Sequence, residues 1–132
     1  MISESLGLIL LLFAIAALVA LWYFRQRTAR KVSEQSRYIS GLRAIITGDR
    51  ARAVRLLREV AMENTENVEA YVLLGDLVRE SGNIRKALQI HRSLAGRAAL
   101  EDFRRARVMK SLALDYAAAE EHESAVTALE RA

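Results

Sequence analysis

Two histidines, His91 and His122, and, among the 16 acidic residues, the group Glu101, Asp102, Glu120, Glu121 and Glu123 are side chains of this 132-residue chain that could hold a metal or move a proton. A metal centre needs three or four such donors converging at ligand spacing, and neither histidine stands in a ligand-spaced cluster. His91 falls where a helical unit places a large packing residue, so it reads as a partly buried structural histidine. His122 lies at a turn among Glu120, Glu121 and Glu123 and reads as solvated. The carboxylates could be paired on paper as general acid and base, but nothing orders them around a pocket. The chain has no cysteine, so it has no thiolate ligand, thiol nucleophile or disulfide. It also lacks a glycine-rich phosphate loop and a nucleophile elbow. These features point away from an enzyme, a small-molecule substrate, a metal and any other cofactor.

A second chemistry to weigh is anion binding. Arg97, Arg104, Arg105, Arg107 and Lys110 cluster in sequence, and the net charge is +4. A single-stranded nucleic-acid site interleaves cations with aromatic stacking platforms, and only Phe103 interleaves here. The cluster therefore reads as a solvated face or a contact for an acidic protein, not as a nucleic-acid site.

The elements that must position these groups are helices. There is no proline, and 52% of residues are hydrophobic and 27% charged. The stretch Val68 to His91 carries a Leu74-Gly75 pair, a second glycine at Gly82 and then Ala87. Shifting it back by about 34 residues lands on Gly41, Gly48 and Ala53, the period of a helix-turn-helix repeat. Gly48-Asp49 and Gly82-Asn83 correspond. Each glycine can take the positive φ that ends a helix, and Asp49, Asn83 and, ahead of the middle unit, Asn67 can cap the next one. Leu112-Ala113, Tyr116 and Ala125 repeat the pattern at an offset of about 38 residues, with Glu120 where the turn glycine is expected. The extra four residues lie within Gly96–Arg104. Gly75 and Ala87 are expected to face each other across their helix pair, while Tyr71, Leu74, Leu88 and Leu94 fill the space between units. One pair buries too little apolar surface to stand alone, so the units must stack. Ala132 falls inside the second helix of the third unit, which implies either an N-terminal portion of a longer protein or a partner covering the exposed end.

Ahead of the repeats, residues Ser5 to Phe24 contain no charge. As a helix they span about 30 Å, the thickness of a bilayer's hydrocarbon core. Trp22 and Tyr23 suit the headgroup layer, and Arg25, Arg27, Arg30 and Lys31 follow at once, which orients the short N-terminus outward and the repeats toward the cytoplasm. A cleaved signal peptide would need a basic start and a small-residue cleavage site. This chain offers instead Glu4 before the segment and Trp22-Tyr23-Phe24 at its end. No glycine or proline interrupts Arg25 to Ser40.

The period and the glycine and alanine marks resemble the tetratricopeptide repeat. Together with the anchor, Tyr38-Ile39-Ser40-Gly41-Leu42, Leu74-Gly75-Asp76-Leu77-Val78-Arg79, Arg85-Lys86-Ala87, Ile90-His91-Arg92-Ser93-Leu94 and Leu114-Asp115-Tyr116 resemble the lipopolysaccharide assembly protein B family. The expected fold is all-α, a transmembrane helix followed by an α-solenoid. Its parts are an anchor at 1–24, a basic juxtamembrane segment at 25–34, and repeats at 35–67, 68–101 and, incomplete, 106–132. The resemblance implies a single-pass protein of the bacterial inner membrane whose cytoplasmic repeats help a membrane-bound ATP-dependent metalloprotease degrade the lipid A deacetylase, so regulating lipopolysaccharide synthesis. Family members also carry further repeats and a rubredoxin-like metal domain with paired cysteines, which this sequence does not contain. The alternative is a general scaffold for another inner-membrane or envelope complex. The first helices of stacked repeats line the usual ligand surface, which gives Tyr38, Leu42, Ile45, Val72, Asp76, Arg79, Lys110 and Leu114 as candidate partner contacts. Leu42 and Ile45 would form either an apolar docking strip or a seat for the segment Arg25–Ser40 folding over them.

Overall fold

The computed structural model describes the backbone of residues 2–97 and 100–132 and the side chains from residue 7 onward. Met1 and, within the segment expected to hold the extra residues, Ala98 and Ala99 lie outside the described residues. Among the described residues six α-helices follow in order: α1 (Ile2–Ile46), α2 (Arg50–Glu63), α3 (Val68–Glu80), α4 (Ile84–Ala95), α5 (Asp102–Ala118) and α6 (His122–Glu130). The chain divides into two units, residues 1–36 and 37–132.

The first unit is helical from Ile2 onward and exposes the apolar residues whose side chains are described. Leu8 to Phe24 present large side chains such as Phe13 and Leu21 at 71% and 68% exposure. Mean hydropathy over an 18-residue window of α1 reaches 2.6, so this helix is long and apolar enough to cross a membrane.

The second unit is a stack of helix pairs. The last turns of α1 pair with α2, α3 with α4, and α5 with α6. The sequence explains both kinds of boundary. Gly48 and Gly82 sit at φ 78° and 88°, where a Cβ would collide with the backbone. Asp49, Asn67 and Asn83 each accept a hydrogen bond from the backbone N–H three residues on, at 3.1, 3.1 and 3.2 Å, satisfying amides the helix cannot reach. The third pair keeps the geometry without the chemistry. Glu120 takes φ 64° where the others have glycine, and the caps Glu101 and Glu121 make no side-chain capping bond.

The longer offset of the third pair is absorbed as helix. α5 has 17 residues against 13 in α3, one extra turn at its start that carries the exposed Phe103. The helix thus begins at Asp102, ahead of the expected repeat start at residue 106.

The core is built from the marks read in the sequence. Ala53, Leu57, Val60, Ala70 and Ala87 are fully buried together with Ala44 and Leu77. A second cluster, Val68, Val72, Leu94, Leu100 and Val108, joins α3, α4 and α5. A third, Leu88, Met109, Leu112, Ala113 and Ala128, joins α4, α5 and α6. The small residues permit close approach, and the side chain nearest Gly75 is that of His91, four residues beyond Ala87 on α4. A Cβ on Gly75 would overlap the imidazole of His91, and one on Gly41 would meet Leu57 Cγ at 3.2 Å. Leu57 and His91 are themselves one period apart, so the same contact recurs with different chemistry.

Candidate protein-docking surface

His91 is 0% exposed. Its Nδ1 lies 2.5 Å from Asp115 Oδ2 and its Nε2 lies 3.2 Å from the Val72 carbonyl oxygen. The ring is thus held from both sides, by a carboxylate oxygen at one nitrogen and a backbone carbonyl at the other. Asp115 is also 0% exposed, and its other oxygen accepts from Arg79 at 2.9 Å. Arg79 further donates to Asp76 at 2.8 Å and to the Ser111 carbonyl at 3.4 Å, and Ser111 Oγ donates to Asp76 at 3.4 Å. Burial alone works against the Arg79 guanidinium, but the hydrogen bond to Asp115 and the charge of Asp76 outweigh it and raise its pKa above the ordinary arginine value. This network ties α3, α4 and α5 together through side chains whose charges offset one another.

The network revises three of the expected partner contacts. Asp76 and Arg79 retain 25% and 16% side-chain exposure and are bonded to each other and to α5, so they hold the stack together. Val72 is fully buried in the second core cluster, because α5 packs over the face of α3 that was expected to line an open surface. His91 is buried completely, not partly. Asp115 was not singled out from the sequence. The signal lay in its place, which by the third unit's offset corresponds to Leu77, a core position.

The other expected contacts lie along the first helices of the three pairs. Tyr38 and Ile45 are half-buried and pack against the first core cluster. Burial, then the nearby Glu69 carboxylate, raises the Tyr38 phenol above its ordinary pKa, with Arg107 opposing. Leu42 is half-buried, Lys110 is exposed and Leu114 is 47% exposed. Leu42 and Ile45 lie in the last turns of α1. Ile39 and Ile46 are exposed, at 49% and 85%. The sequence reading overlooked Ile46 because it sits in the last turn before Gly48. In the first unit, Trp22 and Tyr23 are exposed, as are Arg25, Arg27, Arg30 and Lys31.

The cluster around Phe103 is largely engaged. Arg97 stacks over Tyr71 at 5.2 Å and donates to the Thr65 carbonyl. Arg104 pairs with Glu101 at 3.7 Å, Arg105 donates to the Leu100 carbonyl, and Arg107 pairs with Glu69 at 3.2 Å. His122 is exposed. Among the described residues no three His, Cys, Asp or Glu side chains are grouped to hold a metal ion. An open cleft of about 520 Å³ between α4, α5 and α6 is lined by Met109, Leu112, Tyr116, Glu123, Thr127 and Arg131, among others.

Known proteins match this arrangement at two levels. A tetratricopeptide-repeat family model matches residues 44–111. Two crystal structures of MamA superpose with a TM-score of 0.64 at 21% identity, covering 74% of this chain and 55% or 51% of theirs; this likeness concerns the fold. Lipopolysaccharide assembly protein B of Escherichia coli K12 is 33% identical over 120 residues, 86% of this chain. The proteins of that name from E. coli O6:H1 and O157:H7 match to the same extent. The chain spans 31% of the length of these curated relatives. It belongs to the tetratricopeptide-repeat family and, within it, is similar to lipopolysaccharide assembly protein B.

Proposed function

We propose that this chain is a membrane-anchored adaptor without catalytic activity of its own, whose repeats bring protein partners together in the control of lipopolysaccharide synthesis. The observation that carries the reading is that exposed side chains, Ile39 and Ile46 on α1 and Leu114 and Lys110 on α5, stand on the first helices of a repeat stack that follows a segment long and apolar enough to cross a membrane. Exposed apolar side chains on such helices suit an extended or helical protein segment better than a small molecule. The similarity to lipopolysaccharide assembly protein B supports the pathway. In the finer form of the proposal, the partners are a membrane-bound ATP-dependent protease and the lipid A deacetylase it degrades. The repeats face the cytoplasm from the bacterial inner membrane, as the arginines and lysine after Phe24 favour.

Anchoring matters because a shared membrane raises the effective concentration of adaptor and protease. Cells that produce only residues 25–132 should keep a folded repeat unit but accumulate deacetylase. Unchanged deacetylase levels in those cells would overturn the protease reading and favour a scaffold for another envelope complex.

A further inference from the structure

The second helices of the first two pairs carry a feature that a peptide-docking role leaves unused. α2 and α4 together hold seven cations and two carboxylates. Arg52, Arg55 and Arg58 on α2 and Arg85 and Lys86 on α4 are exposed. Among the described residues none of these five lies within ion-pair distance of a carboxylate; Arg50 alone on this face pairs, with Glu80 at 3.4 Å. The placement repeats with the fold. Arg52 and Lys86 are one period apart, as are Arg58 and Arg92, so their charges lie at equivalent positions of successive pairs. At the third pair the pattern stops, for Ser124 and Glu123 stand at the positions of Lys86 and Arg85.

We infer that this strip is a docking surface for an anionic phospholipid bilayer. Like charges collected on one face repel each other unless an anionic surface neutralises them. The strip has no aromatic residue, so it lacks the platforms on which nucleic-acid bases stack. Met62, 74% exposed at the end of α2, is its one large, strongly exposed apolar residue among the described residues, too little for an inserting apolar face, so the strip meets a headgroup plane chiefly through charge. The same chain carries its own tether to such a plane. The apolar segment of α1 ends in exposed Arg25, Arg27, Arg30 and Lys31, and polybasic segments of this kind favour anionic leaflets. The inference rests on the membrane-anchor reading.

The test uses the full chain, which is free of native cysteine. Single cysteines replace the exposed residues Ala51 on α2 and, as control, Thr127 on α6. Each is labelled with a fluorophore, and the protein is placed in nanodiscs containing headgroup-quencher lipid. One set of discs is pure phosphatidylcholine and the other holds a third of phosphatidylglycerol. The Ala51→Cys label should be quenched at least threefold more in anionic discs. Molar salt should abolish the difference, because screening then acts within about 3 Å. The combined change Arg52→Gln, Arg55→Gln and Lys86→Gln should abolish it too, with helical circular dichroism unchanged. The Thr127→Cys label should not distinguish the discs. Equal quenching of the Ala51→Cys label in both discs overturns the inference and leaves the strip to an acidic protein. Failure of the chain to enter either disc overturns the anchor reading and this inference with it.

Discussion

His91 Nδ1 sits 2.5 Å from Asp115 Oδ2, with neither side chain exposed, so a histidine on the second helix of one repeat is clamped by a carboxylate on the first helix of the next. Removing one member strands the other. Asp115→Leu should destabilise the repeat unit by about 3–5 kcal/mol, the usual cost of a buried charge left unpaired. The double change His91→Leu with Asp115→Leu should be markedly milder, because apolar pairs of similar volume often replace buried ion pairs without loss. Leu57 and Leu77 already occupy the equivalent places. Urea unfolding in mild detergent, followed by circular dichroism, separates the two. Equal losses for the single and double variants would contradict the pairing.

The two helix-interior glycines should respond differently to alanine. Gly75→Ala forces a Cβ into the His91 ring, which two hydrogen bonds hold in place. It should cost about 1–3 kcal/mol, the range for overpacking. Gly41→Ala meets the Leu57 side chain at 3.2 Å and, at an ordinary contact distance, Leu56 Cβ at 3.6 Å, and the helix propensity of alanine returns about 1 kcal/mol, so it should be near neutral. Unfolding midpoints of the two variants give the comparison.

Glu120 holds φ 64° in the place of a turn glycine. Left-handed backbone costs a non-glycine residue about 1–2 kcal/mol. Glu120→Gly should therefore stabilise the third pair, less the entropy that glycine adds to the unfolded chain. Gly82→Ala should destabilise the second pair. Hydrogen exchange of the α6 and α4 amides reads each effect locally.

Capping offers a parallel contrast. Asn83 accepts from Lys86 N at 3.2 Å, so Asn83→Ala should cost about 1 kcal/mol. Its counterpart Glu121 makes no such bond, and Glu121→Asn should slow exchange of the first-turn amides of α6. No change there would show that the third turn cannot accept a cap.

These contrasts mark what the sequence disclosed and what it hid. The Gly48 and Gly82 turns and the caps at Asp49, Asn67 and Asn83 are local chemistry, decided within four residues, and they were legible. The order of helices followed from them. The site was less legible because it depends on contacts between helices. Asp76 and Arg79 look like exposed polar residues on a first helix until α5 supplies Asp115 and Ser111. Val72 looks like a groove residue until the same helix covers it. Gly75 reads as a packing device from the sequence, but the contact of its backbone with the His91 ring was not legible there. No short-range pattern reports a carboxylate on α5 matched to a histidine on α4.

The most direct measurement is photocrosslinking in cells, with benzoylphenylalanine placed singly at Leu42 and at Leu114 of the full-length protein and, as a control, at Gln89 on the opposite helix. The adaptor reading expects both apolar-surface positions to trap a membrane-bound ATP-dependent protease or the lipid A deacetylase, and Gln89 to trap neither. Recovery of other envelope components alone at Leu42 and Leu114, or of the protease at Gln89 alone, would contradict it.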